Sequence, residues 1–119
     1  MEQAREWRVE FYRDDRGRSP VEEFIAQLDT AMQTKVFRAL RLLRESGGQL
    51  PMPLARPLRG YGISELRVQT GGNHVRVFYF EFTGRRIILL HGFVKKSRRT
   101  PQRELDLALR RRSRFTEGG

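Results

Sequence analysis

Arg86-Ile87-Ile88-Leu89-Leu90-His91-Gly92-Phe93-Val94 is a nearly unbroken apolar run, and Lys95-Lys96-Ser97-Arg98-Arg99-Thr100-Pro101 follows it directly. A short apolar run bounded by turn signals reads as a buried strand. This strand delivers its end into a cluster of four cations, and Thr100-Pro101 then reads as the start of a helix. Cations on a flexible tail bind polyanions loosely. Cations fixed at the end of a central strand can be aimed at one phosphate.

Working outward, Ser64-Glu65-Leu66-Arg67-Val68-Gln69 alternates as a strand, and His74 to Phe82 forms another. Gly71-Gly72-Asn73 supplies a hairpin turn between them, and Thr83-Gly84-Arg85 turns into the apolar run. Near the front, Trp7 to Tyr12 has the period of a half-buried strand, and Asp14 to Arg18 reads as a turn. Ser19-Pro20-Val21-Glu22 is a helix start, with Ser19 as N-cap, Pro20 at the first helical position and Glu22 completing a capping box. Val21, Phe24, Ile25 and Leu28 follow at helical spacing. Asp29-Thr30 interrupts this helix and caps a second, whose apolar stripe is Met32, Val36, Ala39, Leu40 and Leu43. Gly47-Gly48 ends it. Helices so closely joined are expected to form an antiparallel hairpin. Gln49 to Gly62 contains three prolines and reads as a linker. The final helix turns Leu105, Ala108 and Leu109 inward, and Arg110-Arg111-Arg112 opens a basic tail from about residue 110. The order β-α-α-β-β-β-α predicts an α+β fold with an antiparallel sheet and the helices against one sheet face.

The chain of 119 residues suits a single domain spanning 1–119. Its 24 Lys plus Arg against 14 Asp plus Glu give a formal charge of +10 and a pI near 11.3. That excess points to a polyanionic partner, and most of the cations are Arg, whose planar fork grips phosphate bidentately. The absence of cysteine excludes disulfides, thiolate nucleophiles and Cys-based zinc sites. Met1 to Glu10 lacks an apolar signal-peptide core, and no apolar run reaches membrane-spanning length, so a cytoplasmic protein with no membrane partner is expected.

Alternation assigns faces. Leu66 and Val68 share one side of their strand, so Glu65, Arg67 and Gln69 share the other. Arg76 lies with Phe78 and Phe80. The register between these strands stays open. A mid-strand arginine suits a solvent face, but Arg67 and Arg76 beside a Lys95-Lys96 strand end favour a shared phosphate clamp, with Glu65 nearby. No metal-ligand spacing, Ser-His-Asp set or P-loop is visible, and no cofactor or metal is expected. RNA offers a route that needs none. Its 2′-hydroxyl can attack the adjacent phosphate while cations stabilise the phosphorane and a side chain protonates the leaving oxygen. Glu65 is the candidate proton acceptor, and Lys95 or Lys96 the donor if neighbouring cations depress its pKa. His91, inside the apolar strand, reads as a hydrogen-bonded core residue, and His74 as exposed beside its turn.

Glu65-Leu66-Arg67-Val68, Arg76-Val77-Phe78-Tyr79 and Leu90-His91-Gly92-Phe93-Val94-Lys95-Lys96-Ser97, with Thr100-Pro101 after them, resemble the RelE/ParE toxin superfamily. The likeness covers roughly Trp7 to Leu109 and is closest to the HigB-like, phage-derived branch. It implies a curved antiparallel sheet with a helical hairpin and a C-terminal helix. It also implies the toxin of a type II toxin–antitoxin system, an endoribonuclease that cleaves mRNA on the ribosome without a metal. Arg67 and Arg76 would contact the scissile phosphate, with Lys95 and Lys96 at the end of the last strand. Arg56, Arg59, Arg98 and Arg99 would bind RNA around them. The partners implied are mRNA, the ribosome and a cognate helix-turn-helix antitoxin whose acidic segment covers the basic groove, with operator DNA reached only through that antitoxin. The last helix has no Tyr or His to act as acid or base, and Ser64 stands where the family has an aromatic. A gyrase-poisoning toxin and a catalytically silent RNA- or ribosome-binding module are the competing expectations.

Overall fold

The computed structural model describes residues 7–118. The elements run β1 (Arg8–Phe11), α1 (Pro20–Ala26), α2 (Thr30–Ser46), β2 (Ala55–Leu58), β3 (Ile63–Thr70), β4 (Asn73–Phe82), β5 (Arg86–Val94) and α3 (Gln102–Gly118). The fold is α+β, with three helices on an open, curved five-stranded sheet of order β1-β5-β4-β3-β2.

Both expected N-caps form, while the Glu22 carboxylate, expected to close a capping box, lies 3.7 Å from Arg13 Nη2. Ser19 Oγ accepts from Glu22 N at 3.4 Å, and Asp29 Oδ1 accepts from Met32 N at 2.8 Å. Each cap satisfies an amide that the first helical turn leaves unpaired. Gly47 closes α2 at φ 67°, in the left-handed region. A Cβ there would also meet Trp7 Nε1 at 2.6 Å, so glycine lets Trp7 pack over the helix end.

Three features depart from the sequence reading. The proline-containing segment holds a fourth antiparallel strand, β2, at the sheet edge, where Pro57 faces Ser64 of β3. Edge strands tolerate proline because one side of the ladder has no partner. At the other edge β1 pairs with β5 in parallel, Arg8 opposite Arg86 and Phe11 opposite Leu89. And the helices do not share one face. One core joins α1 and α2 to Leu66, Val68, Val75, Val77, Tyr79, Ile87 and Leu89. A second core, on the reverse face, joins Leu105 and Ala108 of α3 to Ile63, Phe78, Phe80, Ile88 and Leu90. The expected tail from about residue 110 is the continuation of α3 to Gly118. Phe115 holds it down, edge-on to Phe82 and Phe80 at 5.1 and 6.0 Å, with Arg86 over the Phe115 ring at 5.4 Å.

Cover on both faces explains why β5 is apolar almost throughout rather than alternating. A bulge between Phe78 and Tyr79 shifts the β4–β5 register, so that Tyr79 faces Leu89 and Phe78 faces His91. No helix among the described residues is long and apolar enough to cross a membrane.

Leu90 is fully buried in the second core. Leu90→Ala is expected to lower unfolding free energy by about 2–5 kcal/mol. The half-exposed Leu42 changed to Ala should stay within about 0.5 kcal/mol. Urea denaturation of the two variants checks the second core directly.

Candidate functional site

α3 covers only part of its sheet face, and the rest carries charge. β3 and β4 are directly hydrogen-bonded, with Arg67 opposite Arg76 and Glu65 opposite Phe78. β2 adds Arg56 opposite Glu65. Lys95 follows β5, and its amide donates to His74 O at 2.7 Å, which extends the ladder one residue. Side-chain alternation sends Arg56, Glu65, Arg67 and Arg76 to the face that α3 occupies further along.

Glu65 is the buried centre of this group, 1% exposed, and Arg76 beside it is 5% exposed. Glu65 Oε1 lies 3.4 Å from Arg56 Nε and 3.8 Å from Arg67 Nε, and Oε2 lies 3.7 Å from Arg76 Nε. These are ion pairs without hydrogen-bond geometry. Both Glu65 oxygens and Arg76 Nε are buried with no hydrogen-bond partner among the described residues. Arg76 Nη1 donates to Val75 O at 3.1 Å. Burial holds the Arg76 pKa below its usual value, Glu65 offsets part of that, and Arg67 and Arg56 add to it. Such a cluster exists only because the carboxylate lies among the guanidiniums; without it three like charges would face one another in a low dielectric.

Lys95 is the partly buried lysine of the cluster. Burial lowers its pKa first, then the Arg76 charge; Glu65 opposes this, and Arg67 and Arg56 reinforce it. Lys95 and Arg76 share an open concavity of about 770 Å³ with His74, Lys96 and Arg98. A second concavity of about 740 Å³ shares Lys95 and Arg98 with the first and is lined also by Arg56 and Arg99, with Leu58, Tyr61 and Leu105. Thus Arg56, Glu65, Arg67, Arg76 and Lys95 come together in one cluster. Lys96, Arg98 and Arg99 form its rim. Arg59 stands apart, exposed just beyond β2 and lining neither concavity.

His91 has a different setting. Its Nε2 is 2.5 Å from Glu104 Oε1, and Arg111 Nη1 lies 3.2 Å from its Nδ1 and 2.9 Å from Leu90 O. Arginine can only donate, so Nδ1 accepts and Nε2 carries the proton toward Glu104. Burial pushes the His91 pKa down, the Glu104 hydrogen bond raises it in part, and Arg111 lowers it further. This neutral imidazole ties β5 to α3, and the ring stacks on Phe93 at 5.5 Å. No three His, Asp or Glu side chains gather as a metal site among the described residues.

The basic cluster thus sits on the uncovered face of an α+β sheet compatible with a RelE-like fold. The chain belongs to the family described as Phage derived protein Gp49-like (DUF891), which it matches over residues 23–113. This is a toxin-like family related to the RelE/ParE-type toxins, and membership implies the toxin of a toxin–antitoxin pair with a cognate antitoxin as partner. No curated protein matches the chain.

Removing one partner of the buried cluster leaves an uncompensated charge. Glu65→Gln is expected to destabilise the fold by about 3 kcal/mol. A Glu65→Leu/Arg76→Leu double variant should recover most of that loss, as apolar replacement of a buried pair usually does. Equilibrium denaturation of both variants measures the difference.

Proposed function

We propose that the chain is a HigB-like toxin that cleaves mRNA on the ribosome as a metal-independent endoribonuclease and so arrests translation. The observation that carries this reading is the direct cross-strand pairing of Arg67 and Arg76, flanked by Arg56 and Lys95. Four cations from separate segments gather around Glu65, and all but Arg67 line the two concavities that would take the phosphodiester and its neighbours. The oxygens of a phosphorane carry the charge that such cations stabilise, and preorganised electrostatic stabilisation is the largest catalytic contribution in most enzymes.

In this mechanism the RNA's own 2′-hydroxyl is the nucleophile: it gives its proton to solvent water as its oxygen bonds to phosphorus and the bond from phosphorus to the 5′-oxygen breaks. Arg67 and Arg76 hold the phosphate and stabilise the phosphorane. Lys95 protonates the departing 5′-oxygen, a role suited to an ammonium whose pKa is drawn down by burial and by Arg76. Glu65 was the sequence candidate for proton acceptor, but its burial beneath three guanidiniums suits a different task. It holds the arginines in register. Lys96, Arg98, Arg99 and Arg56 bind the flanking RNA, and Arg59, outside both concavities, contributes only to the general field. The antitoxin would silence the site by laying an acidic segment along this groove.

Expression of the wild type is expected to arrest growth, with codon-linked mRNA cleavage seen by primer extension. Arg67→Ala and Arg76→Ala should each lose roughly 10²–10³-fold in cleavage rate, the usual loss on removing one stabilising donor. Arrest with intact mRNA and altered DNA supercoiling would instead indicate a gyrase poison, and no arrest a silent binding module.

The pH profile tests Lys95. The ammonium is the active form, so the rate should fall as pH rises through the Lys95 pKa, with the descending limb below the ordinary lysine value of about 10.4. Lys95→Ala removes that limb along with most of the rate. RNA binding should also weaken steeply with added salt as counterions are released, and affinity that stays flat would count against a phosphate-gripping face.

A further inference from the structure

We infer that Tyr61 is the stacking platform for the nucleobase adjoining the phosphate that Arg67, Arg76 and Lys95 hold. The inference rests on the ribonuclease reading above. Lys95 and Arg98 line both concavities, so a phosphate at Lys95 adjoins both hollows. The two hollows differ in chemistry. The first is edged by His74, Lys96 and backbone of the β3–β4 turn. The second combines cations with Leu58, Leu105 and Tyr61. Its volume, about 740 Å³, lies within the range of small-ligand pockets.

Tyr61 is 40% exposed, and its ring belongs to neither core. An exposed aromatic among arginines is the arrangement with which proteins bind unstacked bases. The turn that carries it is fixed. Tyr61 N donates to Leu58 O at 3.2 Å, and Arg112 Nη1 of α3 donates to Tyr61 O at 2.8 Å. Arg112 reaches that carbonyl past Gly62, where a Cβ would meet its Nη1 at 2.5 Å and where φ is +72°. The Arg112 guanidinium is in turn set over the Phe80 ring at 5.4 Å. The ring is therefore presented on an anchored backbone, and stacking on it orders little further chain.

The test uses the full chain and a 2′-O-methylated, non-cleavable RNA oligonucleotide, with 2-aminopurine or an abasic nucleotide moved along it. Wild type is expected to quench 2-aminopurine at one position, and Tyr61→Phe to retain the quench. Tyr61→Ala should lose it and bind about tenfold more weakly, the usual scale of base–aromatic stacking. An abasic nucleotide at that position should weaken wild type by the same factor and leave Tyr61→Ala unchanged. If base-bearing and abasic RNA respond alike to Tyr61→Ala while Arg67→Ala weakens both, the stacking role is overturned and the phosphate site stands. If wild type fails to bind either RNA, both readings fall.

Discussion

A single buried carboxylate makes this site possible. Glu65 lies under Arg56, Arg67 and Arg76, one guanidinium from each of three adjacent strands. Alone, those cations would repel one another and turn outward into water. Around Glu65 they remain together and still carry net positive charge toward solvent. The distances, 3.4–3.8 Å, are those of charge attraction rather than of closed hydrogen bonds, and Arg56 and Arg67 stay partly exposed while Arg76 is buried. Burial in this sense is an organising force. It fixes the geometry before any ligand arrives, which is the condition for electrostatic stabilisation of a developing charge.

The sheet supplies the frame because its two faces are used differently. α1 and α2 cover the apolar centre of one face. α3 seals only part of the other, held by the His91–Glu104–Arg111 network and by Phe115. The uncovered part is the site. β4 crosses both regions, so one strand passes from a dry core at Phe78 and Phe80 to a charged mouth at Arg76 and His74. The Phe78/Tyr79 bulge lies close to that boundary, in keeping with the tendency of bulges to sit beside functional surfaces.

Much of this was legible in the residues. Period-two alternation found β3 and β4, the apolar run found β5, and the Ser19, Asp29 and Gly47 caps bounded α1 and α2. The pairing of Arg67 with Arg76 was within reach as well: with Gly71-Gly72 alone as the turn, Thr70 faces Asn73 and every pair behind them follows. A three-residue turn left that register open. Other features had no local signal. β2 hides behind Pro57, and strand pairing outweighs the weak propensity of that segment. The parallel docking of β1 and the face chosen by α3 depend on contacts between distant segments, which periodicity cannot express. Glu65 looked like an accessible base because alternation assigns a face, not a depth. Tyr61 went unremarked because one aromatic in a Gly-rich turn carries no periodic pattern.

The parallel edge has a consequence in time. Every other strand pairs with a sequence neighbour, but Arg8 must wait for Arg86, because β1 and β5 are the first and last strands in chain order although they are neighbours in the sheet. During synthesis β1 emerges first and stays without its partner until β5 has cleared the ribosome; Lys95 and α3 come later still. Long-range pairing of this kind closes late, after the local hairpins have formed. The two basic concavities, both lined by Lys95, are therefore completed only after β5 has emerged.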